Sequence, residues 1–280
     1  MVFGVAIKPW LKQEGTSPEA LARICGDLVD MGIGAIKIPE GSRDDSAWVE
    51  TMRGVVAAAT DAGLRISAHA PAHDISCTDP ETRAANVAHV CSAVETFGSI
   101  APGVVIAVHP EDYLPAREPG DEAARLENCR ASLMELGEAA RPFVARVAVE
   151  NMRVRPDAQN RTGRFTDQLS EVVADLDPAV VDICFDTGHA NISEKMSVAE
   201  AFTRNAERIV HIHYDDNVGG DDIHLQPGEG NIDFAAFFRA MRDARYDGIV
   251  ELEVNVPEGD NPRDFYKRNY AYFQRVAGIA

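Results

Sequence analysis

Residues 211–230 read HIHYDDNVGGDDIHLQPGEG, with three histidines and four aspartates in fourteen residues before a Pro-Gly turn. Imidazole nitrogens mixed with carboxylate oxygens suit Zn2+, Mn2+, Co2+ or Fe2+ better than Mg2+ or Ca2+, which take all-oxygen shells. His211, His213, Asp222 and His224 are the candidates here, and one loop cannot complete a site. Further donors stand elsewhere: His69 in SAHAP, His109 in AVHP, Glu150 in AVEN, Asp186 and His189 in CFDTGH, and Glu253 in ELEVN.

Each of these donors closes a short β-like run. The runs cover 2–8, 35–39, 65–71, 104–110, 146–152, 181–189, 208–214 and 249–255. Amphipathic helical stretches alternate with them. SPEALARICGDLVDMG, for example, opens on a Ser cap with Pro at the first helical position and ends at Gly32. Eight strand–helix units without a linker or composition break predict α/β architecture: a single (β/α)8 TIM barrel over 1–280. A doubly wound open sheet would favour a Gly-rich fingerprint after the first strand, and VAIKPWLKQEG has none.

In such a barrel, catalytic side chains gather at the C-terminal ends of the strands. Strands three to eight each deliver a donor at that end. A lone strand-end His is more often a hydrogen-bonded core residue, and a lone carboxylate more often a helix cap. Six in register are hard to assign to packing, because carboxylates buried together without a cation cost several kcal/mol each. The packing reading is kept for His73, for His89 inside the helix after strand three, and for His211, one layer below His213.

Composition narrows the partners. Hydrophobic residues make up 45% and charged residues 26%, and the net charge is −18. So acidic a surface repels phosphate backbones, which makes nucleic acid an unlikely partner. No run approaches the roughly 18 apolar residues of a membrane span, and the N-terminal stretch lacks signal-peptide features. The five cysteines are scattered and never in CxxC spacing, which predicts a reduced, cytoplasmic chain; Cys184 reads as core packing.

The ordered set of motifs, from HAP at 69–71 to ELE at 251–253, resembles the xylose isomerase-like TIM-barrel superfamily, which holds sugar and sugar-phosphate isomerases and epimerases and the endonuclease IV-like enzymes. The resemblance spans essentially the whole chain. It implies one divalent metal held by Glu150, Asp186, His213 and Glu253, as in the isomerases and epimerases. The endonuclease-like members hold further zinc ions with additional ligands, which fall here on His69, His109, His189, Asp222 and His224, followed by GEG at 228–230. The cofactor expected is therefore a divalent metal, Zn2+ or Mn2+ first and Co2+ or Fe2+ second, at about one to three ions. Two departures mark the chain: Ala72 stands where the endonuclease motif has Tyr, and residues 214–223 lack the Arg that ketose epimerases use to hold substrate.

Two chemistries follow. The first is isomerisation or epimerisation of a sugar or sugar phosphate through a metal-stabilised enediolate. Glu150 and Glu253 would move the proton, His189 would orient substrate oxygens, and Lys8 or Trp10 would contact the sugar. The second is multinuclear zinc-dependent hydrolysis of a small phosphoester, with Glu150 bridging ions. The acidic surface and the abundance of sugar enzymes in the superfamily favour the first; the number of ligands favours the second. Aromatic residues in FYKRNYAYFQ of the last helix either support a homodimer or pack on the barrel.

Overall fold

The computed structural model describes residues 1–112, 121–154 and 161–279. Eight parallel strands close on themselves in chain order: β1 (Val2–Ala6), β2 (Ala35–Ile38), β3 (Arg65–His69), β4 (Val105–Val108), β5 (Arg146–Glu150), β6 (Val181–Asp186), β7 (Ile209–Tyr214) and β8 (Ile249–Leu252). These runs are rich in Val and Ile because both faces of a barrel strand are covered, one by the interior and one by helices. The expected TIM barrel is the observed fold.

Ten α-helices are described: α1 (Lys8–Glu14), α2 (Pro18–Asp30), α3 (Ser46–Asp61), α4 (Pro80–Ile100), α5 (Glu122–Ala140), α6 (Thr166–Val173), α7 (Thr187–Ser193), α8 (Val198–Asn205), α9 (Phe234–Asp243) and α10 (Pro262–Ala277). Their starts follow capping chemistry. Ser17 accepts from the Ala20 amide, Asp45 from Ala47 and Trp48, and Asp79 from Thr82. Between α9, α10 and strands β1 and β7, the rings of Phe3, Tyr214, Phe234, Phe238 and Phe273 stack edge to face or tilted, all buried.

Packing bears on two expectations. Phe265, Tyr266 and Phe273 of α10 are 0–1% exposed, because they face the barrel. Those three pack in the core, while Tyr270 and Tyr272 of the same helix are only half-buried. Trp10 is also buried, on the inner side of α1, and does not reach the mouth; only Lys8 of that pair does.

The inner wall is graded. At one level small apolar side chains meet: Val105, Ala107, Ala148 and Cys184. A polar layer comprises Ser67, His211 and Glu251, each fully buried. Ser67 Oγ donates to Glu251, and His211 Nε2 lies 3.3 Å from the same carboxylate. His211 therefore sits one step below the mouth, as expected from its two-residue spacing to His213.

Candidate metal centre

The pairing of β6 with β7 slips by one residue between Ile183 and Cys184, and this bulge sets Asp186 directly opposite His213. On the other side of β7, His213 pairs with Glu251, and Glu253 follows just past the end of β8. Glu150, Asp186, His213 and Glu253 each bring one ligand atom within 4.8 Å of the others. Glu253 Oε2 is 2.7 Å and Glu150 Oε1 is 3.2 Å from His213 Nδ1. A second group, His69, His109 and Glu150, meets the same distance limit. Both of its imidazoles address Glu150 Oε2, at 3.2 and 3.3 Å. His69 Nδ1 is engaged by the Ala70 carbonyl at 2.7 Å, which turns its Nε2 toward Glu150. A third group joins Asp222 and His224 to Asp215.

His189 is placed differently from the expectation of a strand end. Asp186 caps α7, its Oδ1 accepting from the His189 amide at 2.6 Å, so the strand stops at Asp186 and His189 lies in the first helical turn. From there its Nε2 lies 3.3 Å from Asp222 Oδ2 and its Nδ1 2.8 Å from the Asn151 carbonyl. The intervening Gly188 is required for space: a Cβ there would stand 2.5 Å from an Asp215 carboxylate oxygen. Asn151 ties strands β5 and β6, accepting from the Asp186 amide at 2.7 Å and donating to its carbonyl at 3.1 Å.

Asp222 and His224 ride on the loop that follows β7. Its anchor is Asp216, fully buried, whose carboxylate accepts from the amides of Asn217, Gly228, Gly230 and Ile232 at 2.9–3.3 Å. Gly230 has no room for a Cβ against that carboxylate, and Gly228 has φ 94°, so the GEG turn wraps the anchor. His224 itself has φ 43°, an uncommon value for a non-Gly residue, and its Nδ1 lies 3.2 Å from Asp215 Oδ2.

The electrostatics match a cation site. Burial, reinforced by Asp215, Glu150 and Glu253, pushes the Asp186 carboxyl well up. Burial opposes ionisation of Glu150 and Glu253 as well, but His213 with His109, and His213 with Lys37, hold those two carboxyls well below their ordinary range. His213 stays well above the usual imidazole range despite burial, held by Cys184, Glu253 and Glu150. The Asp215 and Asp222 carboxylates, accepting from the His224 ring, raise His224 to about 11. Asp186 Oδ2 and Asp222 Oδ1 are buried without a hydrogen-bond partner among the described residues. Buried carboxylate oxygens left open beside further carboxylates fit the donor set of a divalent ion. The residues that would hold it are Glu150, Asp186, His213 and Glu253.

Above this cluster lies a cavity of about 540 Å³, the size of a small-molecule site, lined among others by Lys8, Lys37, His69, Glu150, His189 and Glu253. Several participants were not legible in the sequence: Lys37, Glu251, Asp215, and Arg153, whose Nε lies 3.2 Å from Asp222 Oδ2. The Asp-Asp pair at 215–216 was the available signal for one of them. The His73 and His89 rings meet tilted, their centroids 4.4 Å apart, and belong to none of the donor groups among the described residues.

Residues 25–276 match the family model described as xylose isomerase-like TIM barrel, and the chain belongs to that family. The uncharacterized protein MJ1311 of Methanocaldococcus jannaschii is 31% identical over 193 residues, 68% of this chain and 64% of that protein. The 3-dehydro-D-guloside 4-epimerase of Escherichia coli is 28% identical over 141 residues, 45% of this chain and 51% of that enzyme. The chain thus spans between about half and two thirds of the length of these curated relatives. A D-tagatose 3-epimerase-like protein superposes over 100% of this chain and 98% of its own, with a TM-score of 0.76 at 24% identity, a likeness that speaks for the fold alone. Among the described residues, no helix is long and apolar enough to cross a membrane.

Proposed function

We propose that this protein is a divalent-metal-dependent epimerase or isomerase of a keto sugar or its phosphate, working by proton transfer next to a carbonyl. The observation that carries the proposal is the pairing of Glu150 and Glu253, two carboxylates on one cavity, each within 3.2 Å of His213 Nδ1. The names of the relatives support it. A 3-dehydro sugar inverted at carbon 4 and a 2-ketose inverted at carbon 3 both undergo change at a carbon beside a ketone. Such a C–H bond becomes acidic when its carbonyl is polarised, which is the Lewis-acid chemistry a bound ion supplies.

The residues present perform the rest. Glu150 and Glu253 are held ionised by their cationic neighbours, so either can take the proton. The C–H electron pair forms the enediolate double bond, and the carbonyl pair moves onto oxygen. Inversion follows when the other carboxylate, having picked up a proton from water, delivers it to the opposite face while the first releases the proton it removed to water; return from the same carboxylate to the neighbouring carbon isomerises. His189, fixed by the Asn151 carbonyl, is positioned to orient a substrate hydroxyl. Lys8 at the rim is free to contact the far end of the sugar. Five unpaired cysteines accord with a reducing, cytoplasmic setting.

The test is hydrogen exchange. Protein loaded with Mn2+ and given D-tagatose, D-psicose, D-fructose and 3-keto glycosides in heavy water should deposit deuterium at the carbon beside the ketone. No deuterium on any of them would refute the proposal. A second reading, multinuclear hydrolysis of a small phosphoester, is favoured by one observation: Glu150 faces His69 and His109 with one oxygen and His213 with the other, as a bridging ligand does. Its mark would be two or three ions per chain and release of phosphate from a monoester.

A further inference from the structure

Lys37 is the middle residue of a polar column that no motif announces. It stands on β2, with Nζ 2.7 Å from Glu251 Oε1 below and 3.6 Å from Glu253 Oε1 beside it. Glu251 is fully buried and also receives Ser67 Oγ and faces His211. It belongs to none of the clusters that pair Glu150 with metal donors. A buried carboxylate of this kind needs a use, since burying it without a partner would cost several kcal/mol. Its partner is the ammonium of Lys37, which it holds up into the cavity. An ammonium carries three N–H donors. Glu251 occupies one, and the separation from Glu253 exceeds hydrogen-bond length. Donor capacity therefore faces the space shared with Glu150, Glu253 and His69.

We infer that Lys37 is a catalytic residue that donates a hydrogen bond to the substrate oxygen on which negative charge develops during proton transfer. The inference rests on the epimerase or isomerase reading. As a carboxylate takes the C–H proton, the C–H electron pair becomes part of the new C=C bond. The carbonyl π pair localises on oxygen, and the Lys37 N–H···O contact strengthens while the ammonium keeps all its protons. Glu251 fixes the direction of that donor beforehand, so no reorganisation is needed as the charge forms. The four expected ligands account for basicity and ion binding; Lys37 adds a second positive charge at the reacting oxygen.

The experiment compares wild type, Lys37→Met, and Lys37→Met combined with Glu251→Gln, which removes the buried pair together and guards against misfolding from a stranded carboxylate. Each protein is loaded with Mn2+, its metal content is measured, and the ketose panel above is followed by deuterium exchange. Binding of acetohydroxamate, an enediolate-like anion, is titrated in parallel. The expected result is unchanged Mn2+ content, kcat lowered by about 10²–10³-fold as for loss of one oxyanion donor, KM within about fivefold, and acetohydroxamate Kd raised by about tenfold or more. Three results would overturn it: kcat within about threefold of wild type, acetohydroxamate affinity unchanged, or activity lost only in proportion to lost Mn2+. The last would make Lys37 a support for Glu253 alone. Wild-type protein inert on the whole panel would instead fell the underlying reading, and this assignment with it.

Discussion

Asp216→Asn is a single-atom change that tests how the loop carrying Asp222 and His224 is held. In the native protein, Asp216 Oδ2 accepts from the Gly228 and Gly230 amides, both at 2.9 Å, and Oδ1 from Asn217 at 2.9 Å and Ile232 at 3.3 Å. An amide has one oxygen. Whichever way it turns, two backbone N–H donors then face an NH2 group. Each buried donor left without an acceptor costs about 1–3 kcal/mol. Two of them cost about 2–4 kcal/mol here, the lower part of that sum, because Gly228 is exposed and Gly230 only half-buried. At about 2–4 °C per kcal/mol for a domain near this size, the melting temperature should fall by about 4–16 °C. The backbone bridge between Asp216 and Leu225 closes the same loop, so it should loosen before the barrel does. Thermolysin, which cuts before apolar residues, should then cleave near Val218, Ile223 and Leu225 faster than in wild type, while the urea midpoint drops. A variant within about 0.5 kcal/mol of wild type and cleaved at the same rate would refute the anchor argument.

Further outcomes follow from the cluster. Glu253→Ala should lower kcat for deuterium exchange by about 10³-fold or more with the barrel still folded by circular dichroism. Double replacement of His69 and His109 by Ala should leave exchange within about fivefold of wild type if one ion serves the reaction; a collapse of rate together with lost metal would favour the multinuclear reading. Metal affinity should rise with pH. His213 and Asp186 are both raised, so the metal-free protein carries protons on ligands that an ion must displace; His224, outside that set, is raised to about 11 by its pairing with Asp215 and Asp222. The apparent association constant should climb about tenfold per pH unit for each proton displaced, and a flat profile from pH 6 to 8 would contradict this. The same pairing stabilises the metal-free fold fully below about pH 6.5, the unfolded imidazole value, and that contribution fades as pH rises toward about 11. Chemical denaturation across that range would read it.

The barrel was legible because eight Val- and Ile-rich runs alternate with capped helices, a local pattern that does not depend on distant partners. The mouth donors were legible because the fold puts every strand end on one rim. His189 was misplaced by one element because capping by Asp186 decides where β6 stops, and that depends on a hydrogen bond rather than on hydrophobicity. Trp10 was misjudged because α1 begins at Lys8, directly after a five-residue strand, and turns the indole inward. Lys37 escaped notice because a lysine in a short strand reads as a solvated side chain; its partner Glu251 lies at the other end of the chain, on β8. The buried set of Asp74, Glu111, Arg125 and Arg161 is invisible in sequence for the same reason. Arg125 Nη2 meets Asp74 at 2.5 Å and Arg161 Nε meets Glu111 at 2.6 Å, and each ion pair joins segments far apart in the chain.

In the proposed function a cation unites Glu150, Asp186, His213 and Glu253, and the reaction depends on it. Elemental analysis of protein purified without chelator, paired with the same analysis of Asp186→Ala and with deuterium exchange on both, tests it most directly. At least one equivalent of a transition metal per chain in wild type, with metal and exchange lost together in the variant, is the predicted result. A wild-type protein that exchanges the ketose proton at full rate with no metal bound would contradict it.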